Sequence, residues 1–209
     1  MTPIIGIDFD NTIVGYDELI YRIAVERGLT DGDDDGDRTK RAVRDRIRQL
    51  ADGEIEWQKL QALAYGPLIG EARLLEGADE FIRRCRDAGL TVVIVSHKTE
   101  YASCDETRTN LRTAAIEWMA AHRFFDRDGL GLDRDAVFFE STRAAKIGRI
   151  KAVGCSHFID DLEEVFLDAS FPRDVQKILY APVAPLVPAS SATVVPSWRA
   201  LCDVFFHSA

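Results

Sequence analysis

The chain has no apolar run approaching the ~18 residues that a membrane-spanning helix needs, and it opens without the charged-then-apolar pattern of a secretory leader. Its four cysteines, Cys85, Cys104, Cys155 and Cys202, are scattered, with no C-x-x-C pair. That spacing disfavours a disulfide framework and a zinc site, and points to reduced thiols in a cytoplasmic protein. Positive charge is also short: 26 Lys and Arg stand against 35 Asp and Glu, a net charge of −9. A nucleic-acid partner or an anionic membrane surface is therefore not expected. A small anionic ligand is compatible with this charge, because a locally positive pocket or a metal ion suffices to hold one. There is no internal repeat. The 209 residues, 46% of them hydrophobic, fit one ordinary domain or a domain carrying an insertion, with oligomeric state left open.

What is present begins near the N-terminus. The apolar run Ile4-Ile5-Gly6-Ile7 ends abruptly in Asp8-Phe9-Asp10-Asn11-Thr12. A short buried run of this kind reads as a parallel strand. Its carboxyl end then carries two acids, and ligands of open parallel sheets bind just beyond that edge.

The region after Thr12 has helical rather than strand periodicity. Leu19, Ile20, Ile23 and Ala24 mark one helix, Val43, Ile47, Leu50 and Ala51 a second, and Trp57, Leu60 and Ala64 a third. Residues 15–75 are thus expected to form a helical insertion, with 1–14 and 76–209 forming an α/β core. Within the insertion Asp31, Asp33, Asp35 and Gly36 match the opening of a calcium loop. The twelfth position is Ala42 where a bidentate Glu is required, so 31–37 reads as a solvated acidic loop.

Strands and helices then alternate. A helix over 77–88 precedes a strand at Leu90–Val95 that runs into Ser96-His97-Lys98. A long amphipathic helix is expected over 105–122, a strand over 136–139 and a helix over 142–153. His157-Phe158-Ile159 leads a strand into Asp160-Asp161, and Lys177–Tyr180 a further strand. The Pro-rich stretch 182–196 is expected to be a surface loop, and 197–206 a closing helix. This alternation predicts a doubly wound parallel α/β sheet with helices on both faces. It also places Asp8, Asp10, Ser96, Asp160 and Asp161 at one sheet edge. Carboxylates gathered there suit a hard cation such as Mg²⁺, and a hydroxyl and a lysine suit a phosphoryl group. Asp161 serves equally well as the N-cap of a following helix. His97 reads as an exposed loop histidine. Cap residues Arg44, Arg48, Trp57, Lys59, Gln61 and Tyr65 read as helix surface or packing.

DFDNT at 8–12, the strand-ending serine of VVIVSHKT, a lysine opening a later helix and FIDDL at 158–162 together resemble the haloacid dehalogenase superfamily of phosphohydrolases. The resemblance implies Asp8 as nucleophile and Asp10 as general acid and base. It implies Mg²⁺ held by Asp8, the backbone carbonyl of Asp10, Asp160 and Asp161, with Ser96, Asn11, Thr12 and a lysine binding phosphate. Lys146 is preferred over Lys151, because Lys146 lies near the first turn of its helix and Lys151 is ~7.5 Å further along the axis. Dehalogenating members resemble this core but lack an acid at the position of Asp10. The implied activity is therefore phosphomonoester hydrolysis of a small phosphorylated metabolite. A phosphotransferase or mutase of the same superfamily, and a non-catalytic binding protein with this fold, are the alternatives.

Overall fold

A computed structural model of the chain describes residues 2–32, 36–105, 107–183 and 191–206. The chain divides into two compact units. The first comprises Met1–Val14, Leu74–Lys98 and Ala120–Ala209, the second Gly15–Arg73 and Thr99–Met119.

The first unit is built on six parallel strands: β1 (Ile4–Ile7), β4 (Thr91–His97), β5 (Val137–Glu140), β6 (His157–Asp160), β7 (Gln176–Tyr180) and β8 (Thr193–Val195). Their order across the sheet is β5-β4-β1-β6-β7-β8. From β1 the chain moves outward through β4 and β5, then returns to the other side of β1 and moves outward again. The winding therefore reverses between β1 and β6, and the crevice beyond the carboxyl ends of such a pair is where doubly wound sheets take ligands. Helices α4 (Ala78–Asp87), α6 (Arg143–Val153), α7 (Glu163–Leu167) and α8 (Trp198–Phe206) belong to this unit. The parallel α/β fold is the one the alternation of elements predicts.

Val93, Val95, Ile147, Ile150, Phe158, Phe166, Phe171 and Leu179 form an apolar core in this unit. The middle of β1 admits only glycine. A Cβ at Gly6 would lie 2.5 Å from the Phe158 ring and 2.8 Å from Cys155 Sγ, well inside van der Waals contact.

The second unit contains α1 (Asp17–Glu26), α2 (Lys40–Ile47), α3 (Gly53–Tyr65) and most of α5 (Leu111–Ala121). The short strands β2 (Val14–Gly15) and β3 (Arg73–Leu74) pair with each other. Residues 99–119 join this unit, where the sequence pattern had assigned them to the α/β core. Leu111, Ala115, Trp118 and Met119 give α5 its buried face, and the Trp118 indole donates to the Ala72 carbonyl at 2.9 Å.

Two local expectations change, and a third is untested. The helix expected from residue 105 starts at Leu111. The Asp105 carboxylate accepts the amides of Thr107 at 2.8 Å and Thr109 at 2.7 Å, a local alternative that holds the backbone out of a helix. The Pro-rich stretch includes strand β8. The calcium-loop match falls on Asp33 and Asp35, which lie outside the described residues. Among the described residues, no helix is long and apolar enough to cross a membrane.

Candidate active site

Asp8 follows β1 directly. Its amide donates to the Ile159 carbonyl at 2.9 Å, extending the β1–β6 ladder by one residue and fixing Asp8 at the switch point. The chain then turns tightly. Asn11 takes φ 60°, a left-handed conformation that Asn tolerates better than most residues. The Asn11 amide donates to Val14 O at 2.8 Å and the Ile13 amide to Phe9 O at 3.0 Å, so Asp10 sits on a turn tied at both ends. Thr12 is fully buried. Its hydroxyl donates to Asp161 Oδ1 at 3.4 Å, and its carbonyl accepts the Trp198 indole at 2.9 Å.

Asp160 closes β6 and is completely buried. One of its oxygens, Oδ1, accepts the Leu162 amide at 3.0 Å. Leu162 holds the N-cap position of α7, so Asp161 is not that helix's cap and is available to the site. Ser96, also buried, lies next to last in β4, the strand adjoining β1 on its other side.

Lys146 enters from the first turns of α6, whose start is set by the Thr142 hydroxyl accepting the Ala145 amide at 3.1 Å. It is 1% exposed, and a charge so far from water persists only when paired. Its Nζ donates to Asp8 Oδ1 and to Asp160 Oδ2, both at 2.6 Å. Lys151 is exposed. Burial alone would pull the Lys146 ammonium down, but Asp8 and Asp160 outweigh it and raise its pKa. Burial lifts Asp8 to about 6; Lys146 opposes the rise, and the charges of Asp160 and Asp10 add to it.

These shifts have a measurable consequence. Folded protein keeps the Asp8 proton up to about pH 6, whereas the unfolded chain releases it near 3.8. Between these values the folded state binds more protons, so this contribution to stability is present below the lower value and lost as pH rises through the upper one. In chelator, the melting temperature of wild type should fall relative to that of Asp8→Asn across that window. A difference between the two curves that stays constant with pH would contradict the assignment.

Asp8, Asp160 and Asp161 each offer an oxygen within 4.8 Å of the others. An all-oxygen, all-carboxylate set suits a hard cation. Asp8, Asp160 and Asp161 would hold such an ion.

One residue escaped the sequence reading. Lys98, just past β4, is 3% exposed. Its Nζ lies 3.1 Å from Asp10 Oδ1 and 2.8 Å from Asp10 Oδ2, and its amide donates to Glu140 O at 2.8 Å. The available signal was position: a cation two residues past Ser96 falls at the same sheet edge as the acids. His97 beside it is exposed, with Nε2 3.1 Å from Ser141 O. In the second unit, Arg44, Arg48 and Lys59 are paired with Asp45, Glu54 and Glu56, and Trp57 is buried. A cavity of about 620 Å³ in that unit is lined by Tyr101, Ala102, Ser103, Asp105 and Arg108.

No protein-family model and no curated protein sequence matches the chain. Solved structures do. A HAD-superfamily hydrolase of subfamily IA from Geobacter sulfurreducens superposes at TM-score 0.57 and 14% identity, covering 97% of this chain and 96% of its own. The fold is that of the haloacid dehalogenase superfamily. A HAD family hydrolase from Deinococcus radiodurans, solved with bound phosphate and sodium, matches at TM-score 0.54 and 15% identity over 97% and 94% of the two chains. A Bacillus subtilis HAD-hydrolase bound to magnesium gives 0.54 and 14% over 97% and 98%. An L-2-haloacid dehalogenase shares the same fold at TM-score 0.53 and 13% identity, covering 97% of this chain and 98% of its own. The fold thus houses carbon–halogen cleavage too, and only the residues at the sheet edge can decide the chemistry.

Proposed function

We propose that the protein is a Mg²⁺-dependent phosphomonoesterase that hydrolyses a small phosphorylated metabolite through an aspartyl-phosphate. The observation that carries this reading is the second acid, Asp10, on the turn that follows Asp8. A halide departs as a stable anion and needs no proton. An alkoxide does not, so an acid beside the nucleophile has its use in cleaving a phosphoester.

In the proposed reaction an Asp8 oxygen attacks phosphorus as the bond from phosphorus to the leaving oxygen breaks. Asp10 delivers its proton to that oxygen. Asp10, now a carboxylate, takes a proton from water as the water oxygen attacks phosphorus and the Asp8–phosphorus bond breaks. Both acids are then as they began, and alcohol and phosphate leave. Ser96 and Lys146 bind phosphoryl oxygens, with Asn11 and Thr12 shaping the turn around them. Asp8, Asp160, Asp161 and the Asp10 carbonyl would hold Mg²⁺, which when bound offsets the repulsion between an anionic nucleophile and an anionic substrate.

The test is a phosphate-release screen across metabolite esters with Mg²⁺. At least one ester should turn over, EDTA should abolish that turnover, and Mg²⁺ in excess should restore it. Protein that released halide from haloacids and phosphate from no ester would overturn the proposal.

A further inference from the structure

The buried ammonium of Lys98 has no part in the reaction as written. It lies beside both oxygens of Asp10, at 3.1 and 2.8 Å, and draws the carboxylate toward itself. The lysine is itself held. Its backbone amide is tied to Glu140 at the end of β5, its side chain is buried, and its Nζ lies 5.6 Å from the centroid of the Phe9 ring, within range of a cation–π contact. Asp10, by contrast, stands on a turn with its side chain 16% exposed. More than one rotamer is open to a carboxylate on a turn, and the ammonium favours the one that meets it.

We infer that Lys98 is a positioning residue that aims the Asp10 carboxyl at the leaving-group oxygen in the first half-reaction and at water in the second. This inference rests on the proposed phosphomonoesterase reading. Lys98 adds no proton to the balance. With both oxygens on the ammonium, the pair has the geometry of the carboxylate that Asp10 becomes once its proton is delivered; Lys98 pairs with that charge as it develops and holds the carboxylate where water returns the proton.

The inference separates from a merely structural role through the leaving group. kcat/KM reports the reaction up to the first irreversible step, which is formation of the aspartyl-phosphate. An alkyl phosphate depends on proton delivery there, whereas 4-nitrophenyl phosphate expels a stable anion and hardly does. Lys98→Met should therefore lower kcat/KM by ~100-fold for an alkyl phosphate and by less than ~5-fold for 4-nitrophenyl phosphate. Phenyl phosphate should fall between them. Lys98→Arg, which keeps the charge, should recover part of the alkyl-phosphate activity, and it is the variant to use if the Met variant does not fold.

An equal loss on all three esters, or an Arg variant no better than Met on the alkyl ester, would overturn the role of Lys98 while leaving the phosphatase reading intact. Wild-type protein inactive on all three esters and throughout the metabolite screen would instead overturn that reading itself.

Discussion

Asp8→Asn should reduce phosphate release by on the order of 10⁴–10⁶-fold, the scale on which removal of a covalent nucleophile is felt, while leaving the protein folded. The second half of this expectation follows from the environment of Asp8. Its carboxylate is almost completely buried, and burial together with Asp160 and Asp10 disfavours its charge enough to lift its pKa to about 6. A neutral amide of the same shape relieves that cost. Lys146 loses one anionic partner but keeps Asp160 at 2.6 Å, so no unpaired charge is left inside. The melting temperature of Asp8→Asn at neutral pH should therefore equal or exceed that of wild type, read by circular dichroism beside the activity assay. Residual turnover above about one per cent would remove Asp8 from the role of nucleophile.

Lys146→Met should do the opposite to stability. It deletes the cation that bridges the buried carboxylates Asp8 and Asp160. Breaking a buried pair from one side costs about 3–5 kcal/mol, because the remaining charge is left uncompensated. Lys151→Met, at an exposed position of the same helix, should change stability by no more than about 0.5 kcal/mol. Denaturant titrations of the two variants in chelator make the comparison. Adding Mg²⁺ supplies a second prediction. With the lysine gone, the carboxylate set should bind the cation more tightly, and ligand binding to the folded state raises stability. Mg²⁺ should therefore recover much of the lost stability of Lys146→Met but not its activity, because the ammonium proposed to bind phosphate is still missing. Equal destabilisation of the two lysine variants would show that Lys146 is not the bridging charge.

Much of this site is readable in the sequence because it is built on strand ends. An apolar run that stops at an acid fixes both the element and the edge, so Asp8 and Asp160 could be placed together from chain order alone. Lys146 follows from helix direction in a βαβ unit. Lys98 was not readable as a partner of Asp10. The two lie 88 residues apart, and a single lysine after a strand carries no periodicity that distinguishes an inward from an outward side chain. The assignment of 99–119 fails for a related reason. The apolar face of α5 announces that it will be covered, but is silent about which surface covers it. Strand β8 was obscured by proline. Among the described residues Thr193-Val194-Val195 pairs with β7 at the edge of the sheet, and an edge strand accommodates a proline at its margin, such as Pro196, that an interior strand would not.

The tie between the Trp198 indole and the Thr12 carbonyl spans 186 residues of sequence. During synthesis the Asp8–Thr12 turn is made long before residue 198, and Lys146 and Asp160 also arrive before that residue. A nascent chain can therefore gather every acid and the bridging lysine while the turn that carries Asp10 still lacks its clasp. The clasp on that turn therefore comes with the docking of α8 rather than with the closing of the sheet.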